Sequence, residues 1–314
     1  MNTDLVGHRY PITEEYVVTR ERIGAFAHAI GDQGLWYHRV GHARGLGYRD
    51  VLAPPTFTAA MATWLCRPIL LDPALGLDLA RVTTGSQAVV HHRPVVAGDR
   101  LWASVTVTDV RNLARFEAAT WQIAFHDATG LPVCTWDTTI LQRVTGPWPT
   151  PRPPAGQSDD RPGVATRRLH VTRAQVVAFC GVTGDFAPIH YSDRAARAAG
   201  LAGVVAHGLL VMSVAARAIT DWAGDPAALV ACQARFARVL PVPDDAVGAA
   251  LDIRLVPETA ADSCAPTVFD LDVRYDGLPV LADARATMRH PSGPPALAAT
   301  APALAAATLS ASNP

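Results

Sequence analysis

One loop of the sequence carries a carboxylate and an imidazole at a spacing that suits acid/base chemistry. The loop reads GDFAPIHY at residues 184–191, and Pro188 stiffens the bend between Asp185 and His190. A neutral imidazole with a pKa near about 6.5 can accept a proton at neutral pH, and a nearby carboxylate can orient the ring or handle a second proton. Asp185 and His190 are therefore candidate catalytic residues. The alternative is that Asp185 caps a turn and His190 is a packed loop residue.

A second candidate is Gly208, which begins the apolar stretch GLLVMSVAARAI. At a helix N-terminus the unpaired N–H groups and the helix dipole both favour negative charge, so the Gly208 amide can stabilise an oxyanion. An enolate oxygen that develops on a thioester carbonyl is a charge of this kind. The alternative is an ordinary helix start, where a tight turn needs no side chain.

The sequence around both candidates occurs twice in the chain. The segment VTRERIGAFAHAIGD begins at Val18, and VTRAQVVAFCGVTGD begins at Val171. The offset of 153 residues (171 − 18) holds without a gap for 40 residues and gives 12 identities, which include Thr-Arg and Gly-Asp in fixed register. We infer an internal duplication.

Each copy leads into the same predicted elements. An apolar helical stretch at residues 56–70 or 208–222 is followed by runs of alternating polarity that predict strands. These runs lie at residues 102–110, 116–125 and 133–141 in the first half and at residues 249–256, 267–275 and 280–288 in the second. Each half is thus predicted to be one long helix wrapped by an antiparallel sheet. The predicted fold class is α+β with two tandem copies of this unit.

A short helix is predicted just before the candidate loop. Thr172 and Gln175 have the spacing of a capping box, which predicts a helix that runs through Phe179 and stops between Gly181 and Gly184. The residues after Gly184 are therefore predicted to lie in a loop.

Length and composition predict two domains with a linker and a tail. The 314 residues are 49% hydrophobic, which is enough to build two modest cores. Residues 146–164 are rich in Pro and Gly and predict a linker, and residues 291–314 form an Ala/Pro/Ser segment that is predicted to be disordered. The predicted domains are residues 1–145 and 165–290.

Charge and cysteine usage exclude several function classes. The sequence contains no lysine, which excludes P-loop and Schiff-base chemistry, and its net charge of −1 is spread evenly, which disfavours nucleic-acid binding. The five cysteines form no C-x-x-C pair, so zinc ribbons and a disulfide framework are disfavoured. The N-terminal residues lack a signal-peptide layout, and no apolar run reaches the length of a membrane span. We therefore expect a cytoplasmic protein with no membrane or nucleic-acid partner.

The string GDFAPIHYSDRAARAAGLAGVVAHGLL at residues 184–210 resembles a known motif pair. It is similar to the pattern of MaoC-like (R)-specific enoyl-CoA hydratases and 3-hydroxyacyl-thioester dehydratases, G-D-x-N-P-[IL]-H followed by A-H-G. The first half resembles the degenerate N-terminal hot dog of fused or heterodimeric members, including its string APPTF at residues 53–57. The resemblance implies a double hot-dog fold that covers nearly the whole chain except the linker and tail.

The resemblance also implies an activity and its site. Asp185 and His190 would form the catalytic dyad, and the Gly208 amide would be the oxyanion donor. The reaction would be the reversible hydration of trans-2-enoyl thioesters, or the dehydration of (R)-3-hydroxyacyl thioesters, in fatty-acid or polyketide-type metabolism. The substrate would be carried on CoA or on an acyl carrier protein. Neither a cofactor nor a metal is implied, and a homodimer would be in keeping with hot-dog relatives.

The duplication predicts that only the second half is active. The offset of 153 residues places Tyr37 opposite His190 and Pro55 opposite Gly208, while Asp32 matches Asp185. Because tyrosine is not the expected base and proline has no N–H to donate, we predict one active site per chain. The first half would then line the acyl channel. The candidate wall residues are Trp36, Phe57 and Trp64, for which plain core packing is the alternative.

Two positions depart from the family pattern. Ala187 replaces the asparagine of the motif, and Ala216 stands where a helix serine often faces the active site. Ser213, one turn earlier on the same helix face, is a candidate substitute for that serine. These departures leave two alternatives open, namely a related reaction such as Michael-type addition or double-bond isomerisation, and a non-catalytic acyl-thioester binding module.

Other titratable residues are weaker candidates. His91 and His92 are adjacent, and neighbouring side chains of a strand point to opposite faces, so no metal is assigned to them. Arg194, Arg197 and Arg217 could contact CoA phosphates or an acidic carrier protein, although exposed helical arginines are usually just solvated.

Overall fold

The structure is a computed structural model, and it describes residues 1–11, 14–113, 115–145, 163–258 and 266–289. The predicted linker lies outside the described residues except for residues 163 and 164, and the predicted tail lies wholly outside them. No helix in the described part of the chain is long and apolar enough to cross a membrane.

The first half contributes six strands and four α-helices to the fold. Its strands are β1 (Arg9–Pro11), β2 (Tyr16–Val17), β3 (Val82–His91), β4 (Arg100–Asn112), β5 (Phe116–Asp127) and β6 (Pro132–Arg143). Its helices are α1 (Arg20–Ala29), α2 (Val40–Gly45), α3 (Ala59–Leu65) and α4 (Arg67–Leu70). Single 3₁₀ turns lie at Thr3–Leu5, Leu35–Tyr37 and Leu79–Arg81.

The second half repeats this arrangement. Its strands are β7 (Ala165–Val171), β8 (Leu229–Phe236), β9 (Ala249–Pro257), β10 (Thr267–Tyr275), β11 (Leu278–Pro279) and β12 (Leu281–Met288). Its helices are α5 (Arg173–Thr183), α6 (Asp193–Ala198) and α7 (Gly208–Ala223), with 3₁₀ turns at Pro188–His190 and Pro226–Ala228.

A single antiparallel sheet joins the two halves. The strand order is β1-β4-β5-β6-β3-β8-β12-β10-β9-β7, with β2 paired to β4 and β11 paired to β10. The seam between the halves is the pairing of β3 with β8, in which Ala88 lies opposite Gln233. The two units therefore share one continuous backbone ladder, and neither presents an open edge to the other.

The register at this seam defines a pseudo-two-fold axis. Ser86 pairs with Arg235, and Val90 pairs with Ala231. An offset of 145 residues (231 − 86 and 235 − 90) maps each of these pairs onto the other. The same offset relates Ala88 to Gln233, so the axis passes between these two residues. The structure thus supports the duplication inferred from the sequence and extends it past the 40 aligned residues.

The core of the second half lies around α7. Eleven of the 16 residues of this helix are buried, and it packs against β7, β8, β9 and β12, so the sheet wraps the helix. Helices α1 and α5 pack against each other across the halves, with the rings of Phe26 and Phe179 5.8 Å apart. The predicted α+β arrangement of helix and antiparallel sheet is confirmed.

One helix prediction is wrong and another is confirmed. The single helix predicted at residues 56–70 is instead α3 and α4, because Pro68 has no N–H to donate to the preceding turn. The helix predicted to run through Phe179 and to stop between Gly181 and Gly184 is present as α5, which ends at Thr183 with Gly184 in the left-handed conformation at φ 71°. Its capping box is present as predicted, since Thr172 and Gln175 bond reciprocally to each other's backbone N–H groups.

The six predicted strands are present, but the two strands at the seam were not predicted. Strands β3 and β8 lie in the middle of the sheet and pair on both sides. Few of their residues are fully buried, and β3 contains Gly85, so neither strand shows a clear alternation of apolar and polar residues. The alternation signal is strong only where one face packs on a core and the other meets solvent.

Candidate active site

The loop after α5 holds Asp185 through local hydrogen bonds. The backbone N–H of Asp185 donates to Oγ1 of Thr183 at 3.3 Å, and Oδ1 of Asp185 accepts from the N–H of Ala187 at 3.2 Å. The N–H of His190 then donates to the carbonyl of Ala187 at 3.0 Å and closes the 3₁₀ turn. The loop is therefore stiff, and Ala187 contributes to it through its backbone alone.

One tautomer of His190 is selected by its surroundings. The side chain is buried at 8% exposure, and its Nδ1 donates to the carbonyl of Val205 at 2.8 Å. Because a carbonyl only accepts, Nδ1 carries the proton, and Nε2 of the neutral ring keeps its lone pair. Burial lowers the pKa of His190, and the Val205 carbonyl and the Asp185 charge oppose that shift. The imidazole is therefore a neutral base at neutral pH, with Nε2 as the basic atom.

The structure adds His207 to the predicted pair. Its ring stacks on that of His190 with centroids 3.6 Å apart and planes inclined by 23°, and its Nε2 lies 3.1 Å from the backbone carbonyl oxygen of Asp185. One potential ligand atom from each of Asp185, His190 and His207 lies within 4.8 Å of the other two. His207 was not among the predicted site residues. Its loss from the first half, where Pro54 takes its place, is the signal that could have identified it.

A carboxylate and two imidazoles are also metal-ligand types, so their orientation matters. The near-parallel stacking of His190 and His207 sets their ring planes side by side, and in-plane lone pairs then run alongside each other instead of converging on one point. The arrangement suits acid/base chemistry better than metal binding.

Gly208 begins α7, as predicted. The helix has no side-chain cap at its N-terminus, because His207 at the N-cap position makes no capping bond. A Cβ atom at position 208 would lie 2.9 Å from the ring of Phe236, so any side chain there would force that ring to move. Glycine therefore allows the close approach of Phe236, and it begins α7 beside His207, where the first amides of the helix have no partner within the helix.

The predicted substrate-binding residues are spread over several environments. Phe57 is buried beside Tyr16 and Phe26, whereas Trp64 on α3 is 51% exposed. Trp36 is half-buried in the first-half loop and lies edge-on to Tyr37. Ser213 is buried in α7, and its hydroxyl donates to the Leu209 carbonyl at 2.8 Å, an ordinary bond within the helix.

Phe57 connects to the candidate site through a chain of ring contacts. Its ring lies 5.7 Å from that of Phe26, which lies 5.8 Å from Phe179, and Phe179 lies 5.1 Å from His207. Aromatic side chains of both halves thus form a continuous packed cluster that reaches His207, next to His190. Within the described part of the chain, neither Trp36 nor Ser213 forms a hydrogen bond or ring contact with Asp185 or His190.

The matching loop of the first half has different chemistry. Asp32 is 2% exposed, and burial together with the charge of Asp221 raises its pKa to about 6. Tyr37 is 1% exposed, and no described residue offers its hydroxyl a partner with hydrogen-bond geometry. Pro55 lines a pocket at the seam together with His91, the pseudo-symmetric counterpart of Phe236.

The weaker candidates also have defined places. His91 has a buried Nε2 without a partner among the described residues, while His92 is exposed and lies 3.3 Å from the hydroxyl of Thr135. Arg217 is paired with Asp221 at 3.3 Å and donates to the Gly31 carbonyl, so its guanidinium braces the first-half loop. Arg194 and Arg197 are exposed on α6.

Comparison with known proteins connects this fold and site to one family. A family model described as "FAS1-like, dehydratase domain region" matches residues 4–135, and a model described as "MaoC like domain" matches residues 156–253. A UPF0336 protein of Saccharopolyspora erythraea is 39% identical over 145 residues, which are 46% of this chain and 93% of that protein.

Solved structures show the same architecture. A structure described as "MaoC-like dehydratase" aligns over 91% of this chain and 98% of its own, with a TM-score of 0.80 and 24% identity. A Mycobacterium tuberculosis protein described as having a double hot-dog fold aligns over 90% of this chain and 96% of its own, with a TM-score of 0.51 and 14% identity. The fold and the predicted double hot-dog architecture are therefore confirmed. The chain belongs to the family of the UPF0336 proteins, and it combines a FAS1-like dehydratase region with a MaoC-like domain in a double hot-dog fold.

Proposed function

We propose that the protein is a hydro-lyase that adds water to trans-2-enoyl thioesters and removes it from (R)-3-hydroxyacyl thioesters. The observation that carries the proposal is the tautomer of His190, which leaves the Nε2 lone pair free on a ring that has one nitrogen within 4.8 Å of an Asp185 carboxylate oxygen. A buried neutral imidazole, a carboxylate and an amide at an uncapped helix N-terminus are the groups that this reaction requires.

The proposed chemistry gives each group a defined role. In hydration, Asp185 and His190 position a water molecule and take one of its protons, and the water oxygen forms a bond to C3 of the enoyl thioester. The electron pair of the double bond moves toward the thioester carbonyl, where the Gly208 amide stabilises the enolate oxygen. The dyad then delivers a proton to C2. Dehydration runs the same steps backwards, with removal of the C2 proton and loss of the 3-hydroxyl as water.

The remaining assignments follow from this reaction. We assign the acyl channel to Trp36, Phe57 and Trp64, with Ser213 as the helix residue nearest to the usual serine position. The thioester would be carried on CoA or an acyl carrier protein, in fatty-acid or polyketide-type metabolism. We further propose a cytoplasmic homodimer, in which residues 1–145 form the inactive hot dog and residues 165–290 the catalytic one. The buried, unpaired cysteines of the described chain fit a reducing compartment.

The test is incubation of the protein with a panel of enoyl- and 3-hydroxyacyl-CoA thioesters of different chain length, followed by mass spectrometry. The gain or loss of one water is expected, and the His190→Ala variant is expected to lack the activity. A product of unchanged mass would favour isomerisation, and tight binding without turnover would favour a binding module. Either result, or full activity in His190→Ala, would overturn the hydro-lyase proposal.

A further inference from the structure

His207 makes contacts with both members of the proposed dyad. It is 3% exposed, it stacks on the face of the His190 ring, and its Nε2 lies 3.1 Å from the Asp185 carbonyl oxygen. The same nitrogen lies 3.7 Å from the Sγ of Cys180 on α5. A single side chain thus touches the aspartate backbone, the catalytic imidazole and the helix that precedes the loop.

The protonation pattern of His207 follows from its contact with Asp185. Because the carbonyl oxygen can only accept, Nε2 of His207 donates the hydrogen bond, and the lone pair of the neutral ring is on Nδ1. That Nδ1 is buried and has no partner among the described residues. An unsatisfied buried polar atom costs about 1–3 kcal/mol, which an apolar side chain at this position would avoid. The imidazole therefore needs a reason beyond packing.

The contacts restrain His190 in two directions. The carbonyl of Val205 holds the edge of the His190 ring through Nδ1, and His207 covers its face. Val205 and His207 lie in one short segment that is anchored by the bridge of Val205 to Pro241. The Asp185 carbonyl is tied to the same segment through His207. The Asp185 loop and the His190 ring are therefore both held by the same short backbone segment, residues 205–207.

The first half of the chain has no counterpart of the two stacked histidines. At the positions that match His190 and His207 it has Tyr37 and Pro54, although Asp32 is retained. Proline has neither an N–H that could donate a hydrogen bond nor an aromatic ring that could stack. The stacked imidazole is thus absent from the half that has no base to position.

We propose that His207 is a positioning residue, which holds the Asp185 loop and the His190 ring in one rigid unit by donating to the Asp185 carbonyl and stacking on His190. This inference rests on the proposed function for its effect on rate, but not for its effect on the free protein. A well-oriented base keeps its lone pair aimed at one point, and a displacement of about 1 Å can reduce a rate by about 10²-fold.

The charge state of His207 suits this role. The titratable groups that face it are Cys180, Asp185 and His190, and burial together with His190 lowers its pKa to about 4. At neutral pH the ring is therefore uncharged. A neutral neighbour adds no repulsion when His190 takes up a proton during the reaction.

The test compares two variants with the unchanged protein. His207→Leu removes both contacts, and His207→Gln keeps an N–H donor in reach of the Asp185 carbonyl. We expect kcat to fall about 10²-fold in His207→Leu with KM changed less than about threefold, and to fall less than about tenfold in His207→Gln. Cys180→Ala, which removes only the thiol contact, is the matched control and is expected to stay within about threefold of the original kcat.

A measurement without substrate separates this inference from the proposed function. The ¹⁵N shifts of His190 are expected to report the Nδ1–H form in the unchanged protein, in His207→Gln and in Cys180→Ala, and a mixture of tautomers in His207→Leu. An unchanged tautomer and kcat in His207→Leu would overturn the positioning role. The expected change of tautomer in a protein without hydratase activity would sink the proposed function alone. If His207→Leu does not fold, a mixture of tautomers in His207→Gln overturns the role of the hydrogen bond.

Discussion

The loops at residues 31–37 and 184–190 share features of backbone conformation but differ in the side chains around their aspartates. Gly31 and Gly184 adopt φ values of 72° and 71°. In each loop the following aspartate accepts a bond from the N–H two residues on, at 2.9 Å for Asp32 and 3.2 Å for Asp185. The turn-capping role considered for Asp185 is therefore real, and it coexists with the proposed catalytic role. Retention of the aspartate alone does not mark an active site.

What separates the two loops is the set of groups that surrounds the aspartate. Asp185 is half-exposed beside His190 and His207, whereas Asp32 is buried beside Tyr37. The last turns of α7 close the first-half loop, since Arg217 donates to the Gly31 carbonyl. One helix thus begins at the candidate site and ends against its inactive counterpart. The loop is therefore a structural unit common to both halves, and we attribute the proposed activity to His190, His207 and Gly208, which the first half replaces.

The largest expected effect comes from copying Tyr37 into the second half. His190→Tyr removes the base, and general acid–base catalysis contributes about 10²–10⁴ to rate, so we expect kcat to fall by about 10³-fold or more. Steady-state hydration assays measure this loss. The double variant His190→Tyr/Tyr37→His should remain inactive, because Pro55 has no N–H. Recovery of activity in the double variant would show that the first half can still work.

The second prediction copies Pro55 in the same way. Gly208→Pro removes the proposed donor, and loss of one oxyanion donor costs about 10²–10³ in kcat. The helix should tolerate the change, because proline suits the first helical position and His207 has an extended backbone with ψ 138°.

The control for Gly208→Pro is Gly208→Ala. Alanine places the same Cβ against Phe236 but keeps the N–H, so the ratio of the two kcat values isolates the hydrogen bond. Equal kcat values in the two variants would contradict the donor role of Gly208.

The third prediction concerns the stability of the first half. Burial raises the pKa of Asp32 from 3.8 to about 6, so the folded state holds a proton that the unfolded chain releases above pH 4. The stability that comes from this proton is fully present below about pH 4 and is lost as the pH rises through about 6. At pH 7, Asp32→Asn should raise the free energy of unfolding by up to about 3 kcal/mol, with unchanged kcat.

Urea unfolding at several pH values measures this effect. The stability difference between Asp32→Asn and the unchanged protein should be largest above pH 6 and should vanish below about pH 4. A difference that is constant over this range would mean that Asp32 does not titrate with a raised pKa.

The smallest expected effect is a gain of activity from the family residue at position 187. Ala187 leaves the loop without a side-chain amide, and one hydrogen bond of about 1.4 kcal/mol corresponds to about tenfold in rate. We expect Ala187→Asn to raise kcat about tenfold on the same thioester. A loss of activity in Ala187→Asn would favour a reaction that differs from hydration.

Much of this comparison could be predicted from the sequence. The duplication, the six strands around the two cores and the capping box at Thr172 each depend on local patterns, so they were visible. Strands β3 and β8 were not, because their pairing across the halves is a long-range contact with weak alternation. The break at Cys66 between α3 and α4 was missed although Pro68 signals it.

The site was predicted in part for the same reason. Asp185, His190 and Gly208 are close in sequence and belong to a recognisable motif, so their grouping could be predicted. The stacking of His207 on His190 depends on how residues 204–208 fold back over the loop, which no spacing rule reports. The wall residues were chosen by type alone, and the structure places Phe57 in the core and Trp64 at the surface.

The most direct test of the account is hydration of an enoyl thioester in H₂¹⁸O with three proteins in one assay. The unchanged protein and Tyr37→Phe are expected to place one ¹⁸O on C3 at equal rates, and His190→Ala is expected to place none above the uncatalysed level. Full ¹⁸O incorporation by His190→Ala, or its loss in Tyr37→Phe, would contradict a single active site in the second half.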